Sequence, residues 1–314
     1  MNTRKKFILL AAFVLLFIPG RPLPASTDPF PHRLGCTGDN KIIYYTQPPM
    51  ISCEIFELEE RLWELGYNPG PVDGKFDSAT EKAVKKLQGD VGLTPSGKVD
   101  NNTWRALARG TDKTAAAKPI QPPRGELKIV IDIDKRTLAI VENGRVFKEY
   151  PVAIGKPSSP SPVGEWKIIQ KSLAWGGGFG TRWLGLNVPW GIYGIHGTNK
   201  PWSIGRSASH GCFRMFNRDV EEIYPWVKIG TPVIVKGQSL PVPGFKKREI
   251  KPGAFGPDVV TMQLQLKKEG LLWGPADGRY GKLTEIALKY FQTLHGLENN
   301  GILEEQTKKL LEEQ

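Results

Sequence analysis

The sequence predicts a multidomain chain in which a mostly β domain, β-sandwich-like, sits between two small all-α modules. Three observations lead to that reading. The segment 252–311 repeats the segment before residue 110 at a constant offset of 204 residues, taking Gly74 to Gly278. Between the copies lie stretches rich in β-branched and alternating residues. Proline-rich runs separate the three parts, and 314 residues are too many for one ordinary small domain.

The chain begins with a different kind of segment. Arg4, Lys5 and Lys6 precede a run from Phe7 to Ile18 without a polar residue, followed by Pro19 and Gly20. Positive charge and then a short apolar run is the layout of a secretory signal, and the run is short for a membrane span. Residues 1–25 are therefore read as a signal peptide. Leu23-Pro24-Ala25 lacks a small residue three before the cut, so an N-terminal membrane anchor stays open. Export changes the meaning of the formal charge of +11, which implies an acidic partner. Outside the cell that partner is wall polymer or lipid surface, and no nucleic acid is expected. The three cysteines fit the same setting. Cys36 and Cys53 can pair in an oxidising location, leaving Cys212 over as a thiol.

The first module is read over 36–110. Ile55, Leu58, Leu62 and Leu65 recur at helical spacing, as do Ala83, Val84 and Leu87, with the turn-rich G-Y-N-P-G-P-V-D-G-K-F between them. The second is read over 252–314. The offset that relates Gly74 to Gly278 also takes Gly66 to Gly270, Asp73 to Asp277, Thr80 to Thr284, Gln88 to Gln292, Gly97 to Gly301 and Leu107 to Leu311. Gly66 and Gly270 close a helix where a left-handed backbone is needed, and the Asp-Gly pairs make the next turn. Thr80 and Thr284 fall near the start of the following helix, whose buried face carries Ala83 and Leu87, or Ala287 and Phe291. Most of these matches do no more than build a small helical fold.

Residues 111–124, T-D-K-T-A-A-A-K-P-I-Q-P-P-R, read as an extended tether, and 237–251 as a second linker carrying Lys246-Lys247-Arg248. The central domain spans 125–236. Strands are expected at Leu127–Ile133, Thr137–Val141, Val146–Ile154, Gly164–Ile169 and Pro232–Val235. Glu142-Asn143-Gly144 is a hairpin turn, Pro160–Pro162 a rigid loop and Asn217–Val227 a short helix. The run from Trp175 to Gly180 is read as a flexible, aromatic-edged loop able to border a substrate groove.

The chemistry concentrates between Ile195 and Met215, I-H-G-T-N-K-P-W-S-I-G-R-S-A-S-H-G-C-F-R-M. A thiol attacks as thiolate, and a nearby imidazole is the usual means of generating it, which makes Cys212 the nucleophile candidate. Gly211 lets backbone approach a substrate carbonyl, so that N–H groups there can cradle an oxyanion. Spacing does not choose the base. On an extended segment His210 and Cys212 point to one face, whereas two antiparallel strands and a loop would bring His196 to the thiol. A zinc site made by His196, His210 and Cys212 is a rival reading, against which stand the close His-x-Cys spacing and the lack of a familiar zinc motif.

The stretch H-G-T, I-G, S-H-G-C-x-R resembles the signature of the L,D-transpeptidases, the YkuD-like cysteine enzymes of bacterial cell walls. The resemblance implies a YkuD-type β fold, His196 as base with the Gly197 carbonyl orienting its ring, and Cys212 as nucleophile beside Gly211. It implies that Ser209 and His210 shape the pocket, and that Arg214 supports the site and meets a substrate carboxylate. Phe213 stands where an aliphatic residue is more usual. The repeat resembles the three-helix peptidoglycan-binding module of exported wall enzymes. The partner so implied is peptidoglycan, as tetrapeptide stem donor and amine acceptor, with anionic wall polymers besides. The family uses no cofactor and no metal, and oligomeric state is left open. The reaction implied is cross-linking through a thioester. An L,D-carboxypeptidase using the same site, a non-enzymatic wall-binding protein and a zinc hydrolase are the alternatives.

Overall fold

The computed structural model describes residues 42–108, 121–173, 177–238 and 248–313. The expected signal segment, Cys36 with its pairing to Cys53, and most of both linkers lie outside the described residues.

The first helical module opens with strand β1 (Met50–Ile51), helix α1 (Cys53–Glu64) and strand β2 (Lys75–Phe76), and β1 and β2 pair antiparallel. Helices α2 (Ser78–Asp90) and α3 (Asn101–Leu107) follow. The start of each helix is fixed by a side-chain oxygen on its first free N–H groups. Ser52 caps α1, Asp77 caps α2 and Asp100 caps α3. Ile55, Leu58 and Leu62 then meet Phe76, Val84, Leu87 and Leu107 in a small dry core.

The central domain comprises β3 (Leu127–Asp132), β4 (Thr137–Glu142), β5 (Arg145–Pro151), β6 (Ile154–Gly155), β7 (Gly164–Leu173), β8 (Arg182–Leu186), β9 (Tyr193–His196), β10 (Ser207–Ser209), β11 (Phe213–Arg214), helix α4 (Asn217–Ile223) and β12 (Pro232–Lys236). Eight of these form one sheet in the order β11-β9-β8-β7-β12-β3-β4-β5, with β11–β9 and β12–β3 parallel and the other pairs antiparallel. The sheet curls until its ends meet. Ala153, just beyond β5, exchanges backbone hydrogen bonds of 2.9 and 3.0 Å with Arg214 of β11. This closure breaks the expected strand Val146–Ile154 in two, because Ala153 leaves β4 for β11 while Ile154 and Gly155 pair with β10. The enclosed core includes Ile129, Ile131, Trp166, Ile168, Ile195 and Phe213.

The second helical module holds α5 (Pro257–Lys268), α6 (Lys282–Leu294) and α7 (Glu305–Glu312) around Val259, Met262, Leu266, Leu288, Phe291 and Leu311. The repeat has a mechanical meaning in both copies. The N–H of Gly97, like that of Gly301, donates 2.9 Å to the side-chain oxygen of Gln88 or Gln292. The N–H of Gly74 donates 2.8 Å to Glu59, and that of Gly278 donates 2.7 Å to Gln263. Each glutamine or glutamate is a strut from a helix to the next left-handed turn. Thr80 and Thr284 turn inward to the same struts, to Glu59 and Gln263 at 3.0 Å each.

The modules dock on different parts of the central domain. Val260 and Leu264 of α5 join the central core, and Lys267 pairs with Glu165 at 2.6 Å. The first module instead lies against the loop that joins β9 to β10, where Trp202 packs on its core.

Candidate active site

The backbone of the site is a parallel pair. His196 ends β9 and is in register with Arg214 of β11, so Cys212, just before β11, comes alongside β9. The strands joined are parallel rather than antiparallel, because the chain between them crosses over through 197–206 and β10. Nor is the segment holding His210 and Cys212 extended. It bends at Gly211, whose φ is +108°, and a Cβ there would lie 2.7 Å from the Tyr193 ring. Glycine is required at that position on both counts.

The bend is held from both sides. Ser209 Oγ donates to the Cys212 carbonyl at 2.5 Å and accepts the Gly211 N–H at 3.1 Å. Ser161, within the Pro160–Pro162 loop, donates to the Gly211 carbonyl at 2.9 Å and accepts the Gly155 N–H at 2.9 Å.

His196 is packed between aromatic rings. Trp183 of β8 stacks on it with centroids 5.6 Å apart at 25°, and Phe179 meets it edge-on at 4.8 Å. The expected flexible loop therefore delivers Phe179 as a buried wall of the site; residues 174–176 lie outside the described residues. His196 Nδ1 is 2.5 Å from the Gly197 carbonyl oxygen. A carbonyl only accepts, so Nδ1 carries the proton and Nε2 keeps the lone pair.

Burial sets the charge state. It pushes the Cys212 thiol up to about 11, partly opposed by the Gly194 backbone and the charge of Arg214. It depresses His196 to about 3, and Arg214 adds to the effect. The thiol and the imidazole are both neutral at neutral pH in this closed site, where their exposures are 6% and 3%.

His210 is placed differently from His196. Its Nδ1 lies 3.5 Å from Glu57 of the first module. Arg214 Nη2 donates to Glu57 Oε1 at 2.5 Å, and Lys200 Nζ donates to Glu57 Oε2. Burial alone would raise the Glu57 pKa, but Arg214 and Lys200 outweigh it and hold the carboxyl well below the usual range. Among the described residues no three or more His, Cys, Asp or Glu side chains converge as metal ligands.

Sequence reasoning missed four residues that matter here. Glu57 and Lys200 are two; Ser161 is the third. Asn217, the first residue of α4, is the fourth. Its side-chain oxygen accepts the N–H of Thr198 at 3.0 Å and of Thr181 at 3.3 Å, and its amide donates to the Thr198 carbonyl at 3.0 Å. It latches the loop after His196, and a Cβ at Gly197 would strike it at 2.1 Å. Its signal in the sequence was a polar residue opening the expected short helix, two residues beyond Met215.

A curled β sheet with His196 at the end of one strand and Cys212 just before the strand parallel to it, flanked by helical repeat modules, is the class of protein so defined. The family model for the L,D-transpeptidase catalytic domain (YkuD) matches residues 126–235. The one described as "Putative peptidoglycan binding domain" matches 54–107 and 255–311. "Putative L,D-transpeptidase YkuD" of Bacillus subtilis (strain 168) is 46% identical over 107 residues, which cover 34% of this chain and 64% of that protein. "Putative L,D-transpeptidase YqjB" of the same organism is 31% identical over 129 residues, covering 36% of this chain and 73% of that one. A crystal structure of the L,D-transpeptidase from Xylanimonas cellulosilytica aligns at 25% identity with a TM-score of 0.31, over 62% of this chain and 98% of that one. The chain belongs to the L,D-transpeptidase family. It spans just under two thirds of the YkuD relative's length.

Proposed function

We propose that the protein is a cysteine L,D-transpeptidase that cross-links peptidoglycan stem peptides. The observation that carries the reading is the contact of His196 Nδ1 with the Gly197 carbonyl oxygen, which leaves Nε2 as the acceptor, on the strand beside Cys212. Because thiol and imidazole rest neutral, the proton moves during attack. Nε2 of His196 takes the S–H proton as sulfur bonds to the amide carbonyl carbon of a donor stem. The oxyanion rests on backbone N–H; the Gly211 N–H already donates to Ser209, so the reading assigns this role to the N–H of Cys212. The C–N bond then breaks, the imidazolium protonates the leaving amine, and a thioester remains. An acceptor amine attacks that thioester, loses its proton to Nε2, and forms the new amide as the thiol is restored.

The modules support a wall location, with residence on the polymer raised if both engage at once. Among the described residues no helix is long and apolar enough to cross a membrane. An exported, wall-associated protein with a signal segment at 1–25 remains our reading. The test is incubation with a disaccharide tetrapeptide, following products and intact mass for the wild type and Cys212→Ala. A thioester adduct on the wild type alone, with cross-linked dimer accumulating, is expected. Tripeptide without dimer would mean that water resolves the acyl-enzyme, and a folded wild type giving no adduct would sink the enzymatic reading.

A further inference from the structure

The first module reaches into the site with charge. Glu57 of α1 is 4% exposed and its carboxylate is shared by Arg214, Lys200 and His210. Around it the contact is acidic on basic. Glu60 pairs with Lys156 at 3.3 Å, and Glu64 pairs with Arg206 at 2.5 Å. Cations also lie on aromatic rings across the same seam, Lys156 on Phe56 at 4.2 Å, Lys200 on Trp104 at 5.1 Å and Arg61 on Trp202 at 4.9 Å. On the catalytic side, Lys200, Trp202, Arg206, His210 and Arg214 all come from the stretch linking His196 to the strand after Cys212.

The second module supplies an internal control. At the same offset it carries Thr261, Leu264 and Lys268 where the first has Glu57, Glu60 and Glu64. The module folds without those carboxylates, so its own core does not explain them. A buried carboxylate that loses one cation partner is costly, which ties Glu57 to its pocket for as long as the module is docked. The pocket's chemistry, two cations and an imidazole converging on one carboxylate, is also what the free C-terminus of a peptide would seek. The charge of Arg214 bears on both Cys212 and His196.

We propose that Lys200, His210 and Arg214 form a carboxylate-receiving pocket beside Cys212, and that Glu57 of the first module fills it in cis, as a competitor that a peptide carboxylate must displace. This rests on the proposed function in so far as the displacing ligand is a stem peptide. The first module is then a reversible cover, and the docked fraction is subtracted from the enzyme able to bind donor. If about one molecule in ten is undocked, apparent donor affinity is lowered about tenfold.

The experiment compares the full-length wild type with Glu57→Gln and with the double variant Glu60→Leu, Glu64→Lys, which installs the second module's residues at the rim and leaves the pocket intact. Two readouts are taken: the rate of Cys212 alkylation by iodoacetamide, with and without N-acetyl-D-alanine as the carboxylate probe, and KM for a tetrapeptide donor. Both variants should alkylate about tenfold faster, and the probe should protect Cys212 in them at concentrations that leave the wild type unchanged. KM should fall about tenfold with kcat changed less. Unchanged alkylation and KM in both folded variants would overturn the proposal. So would faster alkylation that the probe does not slow, since the pocket would then not take carboxylate, and so would loss of turnover with the module still docked, since Glu57 would then be part of the working site. The alkylation arm needs no turnover. A protein that alkylates as expected but never acylates would remove the transpeptidase reading and leave the pocket and its cis occupant standing.

Discussion

Replacing Glu59 with glutamine tests the strut at the first module's turn and has an internal precedent, since Gln263 does the same work in the second. Glu59 accepts the N–H groups of Asp73 and Gly74 and the Thr80 hydroxyl. Burial, with a smaller contribution from the charge of Asp73, nevertheless pushes its carboxyl up to about 7. The folded state thus holds a proton that the unfolded chain has already released between about pH 4.5 and 7. Stability falls as pH climbs through that window and is level above it. A rise from 4.5 to about 7 corresponds, at about 1.4 kcal/mol per pH unit, to about 3 kcal/mol. Water near the turn screens part of this, and about 2 kcal/mol is the expected gain for Glu59→Gln at pH 8, with little difference at pH 4.5. Hydrogen exchange of the amides of Leu87 and Leu107, corrected for intrinsic rate and referenced to Leu288 and Leu311 in the second module, reads this directly. A gain of about 2 kcal/mol slows exchange about thirtyfold where opening is local to the module. The same difference at both pH values, or faster exchange of the variant at pH 8, would refute the reasoning.

Gly211→Ala should leave circular dichroism near wild type while acylation falls at least about a hundredfold, because the left-handed backbone and the contact with Tyr193 together cost about 2–4 kcal/mol at the residue before Cys212. Retained acylation would show that the bend is not needed. Asn217→Ala should lower kcat about tenfold or more with a smaller change in KM, since it frees the loop after His196 without touching the donor; Asn217→Asp, which keeps the acceptor, should recover part of the loss. Alkylation of Cys212 should keep rising with pH through 9 toward 11 and should not level off near neutrality, as a thiol raised by burial requires. A plateau by pH 7 would mean a preformed thiolate.

By itself the sequence determined the three-part organisation. A fixed offset can be read without geometry, and alternation in Leu127–Ile133 and Thr137–Val141 is a local property that sheet pairing then uses. It also marked 195–215 as the candidate stretch, since the motif is contiguous. Strands β8 and β9 were not legible, because R-W-L-G-L and Y-G-I-H are short, contain glycine, and are almost wholly buried, so they carry no alternation. Tertiary structure decided what the two histidines face. The crossover put His196 between Trp183 and Phe179 beside the Cys212 strand, and the Gly211 bend turned His210 toward Glu57. It also recruited Asn217 as latch and Glu57 as occupant of the cationic pocket. Arg214 and Glu57 are 157 residues apart in the chain. No local pattern encodes such a pairing, because an ion pair of that separation exists only once two separate cores have been packed against each other.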